Sequence, residues 1–156
     1  MREIDVAKIK DTVRELCLKA NFELRKDILK AVRKAAGSET NARAKNALKA
    51  IIENARIARA KRLAICQDTG MVVVHMKIGQ EVSLTGGDVE KAVNEGVREA
   101  YAKGCLRKSV VSDPILRENT NTNTPCFIFT DIAGGDRVKI ELSPKGFGSE
   151  NKSRIK

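Results

Sequence analysis

Cys66-Gln67-Asp68-Thr69-Gly70-Met71-Val72-Val73-Val74-His75-Met76-Lys77-Ile78 is the stretch where the hydrophobic period of the chain changes. Upstream, apolar residues return every three to four positions. From residue 71 to 78 they run on without that period, as in a strand, and Gly70 supplies the break.

Working backward from that break, the first third reads as helix. Val6, Ile9, Val13, Leu16, Cys17 and Ala20 form one stripe. Asn21 is a candidate cap for a second helix with Leu24, Ile28, Ala31, Val32 and Ala35 inward, ended by Gly37. A third helix is expected over residues 41–61, with Ala44, Ala47, Leu48, Ile51, Ile52, Ala55 and Ala58 inward. Short helices are marginal alone, so the three are expected to share a core.

Working forward, Gly86-Gly87-Asp88 restarts a helix, with Asp88 as its cap. Val89, Ala92, Val93, Val97, Ala100 and Tyr101 form its stripe, and Gly104 stops it. Residues 106–124 follow neither period and are rich in Asn, Thr, Ser and Asp; a connection this long is commonly functional. Strands are expected at 126–132 and 137–143, with Val138, Ile140 and Leu142 on one face. Gly134-Gly135-Asp136 between them reads as a hairpin turn. Helices followed by strands predict an α+β fold, an N-terminal helical layer packed on a mostly antiparallel sheet. Residues 1–156 are expected to form one domain with no internal boundary.

Composition narrows the classes. Of 156 residues, 42% are hydrophobic and 32% charged, a balance suited to a globular chain. No apolar run approaches the ~20 residues of a membrane helix, and the charged, amphipathic N-terminus is unlike a secretory signal. The formal net charge is +10, yet Lys and Arg are mixed with Glu along the helices, and aromatics make up only 3%. Nucleic acid is therefore disfavoured as a partner, since single-strand binders stack bases on aromatic rings. A solvated charged surface and a basic site for a small anion account for the charge better. The four cysteines, at 17, 66, 105 and 126, show no C-x-x-C spacing, which argues against a zinc finger and a disulfide framework. A cytoplasmic setting is expected.

Three segments have compositions suited to chemistry. In residues 66–70, a Cys lies beside an amide, a carboxylate and a hydroxyl, a plausible metal-ligand loop; the plain alternative is a buried Cys next to an Asx turn. In residues 106–125, Arg107, Arg117 and many short polar side chains suit a carboxylate, against the alternative of a solvated connector. In Lys145-Gly146-Phe147-Gly148-Ser149-Glu150-Asn151-Lys152, glycines let backbone N–H groups approach an anion, unless this is only a strand-end turn.

In this order and spacing, Cys66-Gln67-Asp68-Thr69-Gly70, Leu106-Arg107, Asn123-Thr124-Pro125 and the segment from Lys145 to Lys152 resemble the class I fumarate hydratases. Their iron–sulfur hydro-lyase family also includes the L-tartrate dehydratases, and the likeness covers nearly the whole chain. The resemblance implies reversible hydration of fumarate to L-malate at a 4Fe–4S cluster held by three Cys thiolates. The cluster's fourth iron acts as a Lewis acid on a dicarboxylate substrate. It implies that Cys66 is a cluster ligand, that Gln67 and Asp68 are catalytic, that Arg107 binds a substrate carboxylate, and that Gly148 presents backbone to substrate. Cys17, Cys105 and Cys126 read instead as packing residues, and His75 as a satisfied structural residue.

The sequence departs from that family in two ways. Phe147 replaces a usual glycine, which either narrows the loop or points away from it. The other two cluster cysteines belong downstream, and the base belongs to a C-terminal domain or a separate β subunit. The resemblance therefore implies the N-terminal part of an α subunit, truncated or split, missing a downstream half and working in an oligomer. Alternatives are a fragment of an L-tartrate dehydratase α subunit and a truncated, non-catalytic scaffold chain.

Overall fold

A computed structural model describes residues 1–148 and 152. The element order is β1 (Arg2–Asp5), α1 (Val6–Phe22), α2 (Lys26–Ser38), α3 (Ala42–Lys61), β2 (Met71–Gly79), β3 (Val82–Thr85), α4 (Val89–Lys103), β4 (Phe127–Ala133) and β5 (Val138–Lys145). The expected α+β class holds, with helices layered on sheet.

Three helices start on side-chain caps that satisfy otherwise unpaired amides. Asp5 accepts from Ala7 N at 2.8 Å, Asn41 from Arg43 N at 2.9 Å, and Asp88 from Lys91 N at 3.0 Å. The cap expected at Asn21 does not form. Asn21 stays inside α1, where its Nδ2 donates to Cys17 O, and Arg25 occupies the N-cap of α2 without a side-chain bond. The chain leaves α1 two residues past Asn21, so that side chain faces the core instead of a new helix end.

The core lies between helices α1 and α4 and one face of the sheet. Val13, Cys17, Val93, Val97, Ala100 and Tyr101 meet Val72, Val74 and Met76, with Ile140 and Leu142 packed against them. Arg14 and Lys10 of α1 flank that helix pair, reaching Glu99 of α4 at 2.9 Å and 3.2 Å. The expectation that the first three helices share this core is overturned. α2 packs on α3, and that pair stands beside the core, with only Ala36, Ala55 and Ala58 buried and Ile28 and Ile51 nearly half exposed. The expected α2 stripe is left largely uncovered: Ile28, Ala31 and Ala35 are exposed and Ala36 is buried instead, because α2 packs mainly on α3 alone.

The main sheet has the order β4-β2-β5. β2 pairs in parallel with β4 (Val73 opposite Phe127) and antiparallel with β5 (Met71 opposite Lys145, Ile78 opposite Val138). A small second sheet pairs β1 with β3 in parallel. Two expectations therefore need correction. Among the described residues the pairing is not mostly antiparallel, because α4 serves as the crossover that a parallel β2–β4 pair requires. The Gly134-Gly135-Asp136 turn does not close a hairpin either, because β2 lies between β4 and β5. The turn instead crosses the end of β2, where Gly79 N donates to Arg137 O at 2.9 Å, Gln80 N to Ala133 O at 2.8 Å, and Glu81 N to Gly135 O at 3.0 Å.

Cys17 packs as expected and Cys126 is half-buried, but Cys105 is exposed. Cys105 adopts φ 48° just past α4, so the left-handed position that turns the chain carries its side chain outward. His75 is also exposed; it stacks on Phe129 on the outer sheet face at 4.8 Å between ring centroids.

Candidate active site

Three segments leave the same end of the main sheet. Residues 66–70 enter β2, residues 106–125 run from α4 to β4, and residues 146–148 follow β5. They surround a cavity of about 460 Å³. Its wall takes Cys66, Gln67 and Asp68 from the first segment and Arg107, Lys108 and Ser109 from the second. Phe147 and Gly148 complete it. All five residues singled out in the sequence, Cys66, Gln67, Asp68, Arg107 and Gly148, thus share one cavity. A larger one, about 670 Å³ between α1 and β5, is lined by Arg2, Lys8, Thr12, Arg137 and apolar side chains; its lining holds no Asp, Glu, His or Cys.

The segments are joined by polar contacts with buried partners. Tyr101, fully buried, donates its hydroxyl to Thr69 O at 2.6 Å and Gly70 O at 3.2 Å. Burial holds its phenol well above the ordinary range, although its hydrogen bonds pull the other way, so it remains a donor. Asn123, also fully buried, donates Nδ2 to Gly70 O at 3.0 Å and accepts from Ser109 N at 2.7 Å through Oδ1. Thr69 Oγ1 donates to Arg107 O at 2.7 Å. Gly70 has φ 61°, and a Cβ there would lie 2.1 Å from Lys145 O; only glycine lets residues 66–70 lie against the end of β5.

Asp68 ties the first segment to the third. Its Oδ2 accepts from Phe147 N and Gly148 N, both at 2.9 Å, and its own N–H donates to Cys66 Sγ at 3.4 Å. The glycine segment does bind an anion through its amides, as its composition suggests, and in the structure that anion is the Asp68 carboxylate. The Gly148 N–H that the resemblance assigns to substrate is thus engaged by a side chain of the chain itself. Phe147 lies in the cavity wall rather than away from it. Ser149, Glu150 and Asn151 fall outside the described residues.

The second segment also differs from its reading. Its short polar side chains mostly brace it: Asn119 Nδ2 donates to Lys108 O at 2.9 Å, Thr120 Oγ1 to Val110 O at 3.2 Å, and Ser112 Oγ to Glu118 O at 3.1 Å. Arg117 adopts φ 56° outside the cavity lining, so Arg107 is the arginine that faces the cavity. The Arg107 and Lys108 side chains form no ion pair or hydrogen bond among the described residues.

Residues 10–156 match the family described as fumarate hydratase (Fumerase). The chain belongs to that family. It is 38% identical over 155 residues to a Methanocaldococcus jannaschii chain named provisionally as L(+)-tartrate dehydratase subunit alpha, covering 96% of this chain and 54% of the relative. It is 37% identical over 106 residues to the anaerobic class I fumarate hydratase of Escherichia coli, covering 67% of this chain and 19% of that one. It is 34% identical over 105 residues to mitochondrial fumarate hydratase 1 of Leishmania major, covering 66% and 19%. The chain thus spans about half the length of the first relative and about a fifth of the others.

As a fumarase-family chain it is expected to serve an iron–sulfur cluster, and the donor set tests that. Among the described residues no group of three His, Cys, Asp or Glu is placed to hold a metal. Cys66 is an exposed thiol in the cavity wall, whereas burial pushes the Cys17 thiol up to about 12 and the Cys126 thiol up to about 11. These residues do not fit a three-thiolate cluster on their own; they offer one candidate ligand. No described helix is long and apolar enough to cross a membrane.

Sequence reasoning gave no role of their own to Tyr101, Asn123 and Ser109. Tyr101 was legible only as part of an apolar stripe, although a lone Tyr with a buried hydroxyl signals a polar partner. Asn123 had a signal in its loop composition, since Asn tolerates the left-handed backbone that it adopts at φ 61°.

Proposed function

We propose that this chain is the N-terminal part of the catalytic α unit of an iron–sulfur hydro-lyase that reversibly hydrates fumarate to L-malate, in a cytoplasmic oligomer. The observation that carries the proposal is the convergence of Cys66, Gln67, Asp68, Arg107 and Gly148 on one cavity in a chain of this family.

Cys66 gives one thiolate to a 4Fe–4S cluster whose other ligands come from the downstream half of the α unit. When bound, the cluster supplies Lewis acidity toward the substrate hydroxyl. Arg107 receives a substrate carboxylate; its planar guanidinium replaces the water that a dicarboxylate loses on entering the cavity. Gln67, on the same wall, orients the substrate through its amide. Asp68 is catalytic in this reading and also latches the segment that carries Gly148 against the segment that carries Cys66. The proton-abstracting base comes from a β subunit or a C-terminal domain.

A second reading, an L-tartrate dehydratase α subunit, is favoured by one observation. The relative matched over 96% of this chain carries that name.

The test is complementation. The 156-residue chain is purified anaerobically, reconstituted with iron and sulfide, and assayed with fumarate and L-tartrate. It is assayed again with the downstream half-subunit and a β partner. Activity only after complementation is expected, and the preferred substrate decides between the two readings. Arg107→Lys keeps charge but loses the fork; it should lower kcat/KM by about 10- to 100-fold, from charge-assisted hydrogen bonds worth ~1.5–3 kcal/mol. Turnover by the chain alone, or unchanged kinetics with Arg107→Ala, would overturn the assignment.

A further inference from the structure

Among the described residues one buried side-chain polar atom has no partner, and it belongs to a residue of the cavity wall. Ser109 Oγ is closed to solvent and is unpaired among the described residues. The residue itself is fixed, because its N–H is held by the buried Asn123 carboxamide at 2.7 Å. What remains free is rotation about the Cα–Cβ bond, which moves Oγ among three staggered positions. A buried hydroxyl without a partner lowers stability, so its retention in a braced segment asks for a compensating contact. The neighbours indicate its sign. Arg107 and Lys108 precede it on the same wall with no ion pair among the described residues, and the nearby Asp68 carboxylate already accepts two amides. A hydroxyl donor beside two cations suits an acceptor of negative charge.

We infer that Ser109 is a further substrate-binding residue, whose hydroxyl turns into the cavity and donates to the same carboxylate that Arg107 receives. This rests on the hydro-lyase reading of the cavity. The recognised group is a carboxylate of a small dicarboxylate, bound by a guanidinium and a hydroxyl from one braced segment. Asn123 and Thr69, by joining that segment to residues 69–70, fix the distance between these donors and residues 66–68.

The signature that separates this role from a structural one is a divergence between stability and affinity. Succinate, a dicarboxylate that cannot be dehydrated, is titrated into the complemented, reconstituted enzyme, and its Kd is measured by calorimetry alongside the Tm of the same preparation. Ser109→Ala is expected to weaken succinate about tenfold or more, yet to leave Tm unchanged or raise it by about 2–4 °C, because an unpaired buried hydroxyl is removed. Ser109→Thr, which keeps the hydroxyl, should recover most of the affinity. An unchanged Kd in Ser109→Ala, with binding lost in Arg107→Ala, would overturn the role of Ser109 and leave the hydro-lyase reading standing. A Tm lowered by several degrees in Ser109→Ala would also overturn it, by revealing an internal partner. Absence of succinate binding to the unaltered, complemented enzyme would overturn the inference together with the assignment of the cavity.

Discussion

Replacing Asn123 with alanine should be among the most damaging single changes near the cavity, and its cost can be worked from the contacts. Asn123 is fully buried and serves two backbone groups, Ser109 N at 2.7 Å and Gly70 O at 3.0 Å. Gly70 O keeps a second donor in the Tyr101 hydroxyl, so only the Ser109 amide is left wholly unpaired. Burying that amide alone costs ~1–3 kcal/mol, and the bond lost at Gly70 about 1 kcal/mol more. Alanine at φ 61° adds ~1–2 kcal/mol of backbone strain that asparagine tolerates better. The sum, about 3–6 kcal/mol, is a large share of the ~5–15 kcal/mol that holds a domain together. Two further variants separate the terms. Asn123→Gly removes the strain but not the lost bonds, and should recover about 1 kcal/mol relative to Ala. Asn123→Asp keeps the acceptor for Ser109 N but loses the donor to Gly70 O. Urea unfolding followed by far-UV circular dichroism, with m held constant, measures all three. A loss below ~1 kcal/mol for Ala, or a glycine variant less stable than alanine, would refute this account.

Three other outcomes follow from the same geometry. Asp68→Asn keeps one acceptor but loses the charge, so the Phe147 and Gly148 amides should exchange about 5- to 30-fold faster, equivalent to ~1–2 kcal/mol; unchanged exchange would mean that the carboxylate does not hold that segment. Burial raises the Cys17 thiol from 9.0 to about 12, so its contribution to stability is complete below about pH 9 and is lost as pH rises toward 12. Alkaline unfolding should steepen by ~1.4 kcal/mol per pH unit across that window, and Cys17→Ala should remove that share of the slope. In the complemented and reconstituted enzyme, Cys66→Ser should abolish the iron–sulfur absorbance while Cys17→Ala and Cys126→Ala leave it; loss at Cys126 but not at Cys66 would reverse the ligand assignment.

What could be read in advance depended on whether a residue's partner is local. α1, α3 and α4 were legible because period and cap lie within a few residues of each other, as with Asp88 and Lys91. β2 and β5 were legible from apolar content and alternation, but their neighbours were not. Whether β4 lies beside β2 or β5 depends on the route of α4, which no strand sequence contains. β1 and β3 have four residues each, and the charged run Arg2–Asp5 gave no strand pattern. The same division applies at the cavity. Cys66, Gln67 and Asp68 are adjacent in sequence and stood out together. Tyr101 and Asn123 act on backbone oxygens 31 and 53 residues away, at Gly70, and nothing near them in the chain marks that target.

The turn that crosses the end of β2 gives the far pole of the sheet control over the near one. β2 runs from Met71 to Gly79, eight steps of ~3.3 Å, so this turn lies roughly 26 Å from the cavity. Its three backbone bonds nevertheless help set how far β4 and β5 slide along β2. That alignment puts Lys145 opposite Met71 and so brings Gly148 within reach of Asp68. A Cβ at Gly79 would lie 2.1 Å from Gly135 O, so even alanine there must push the turn off the strand. The three strands then behave as a ruler read at one end and zeroed at the other, and a change at Gly79 would misplace the cavity's walls without touching any residue that lines it.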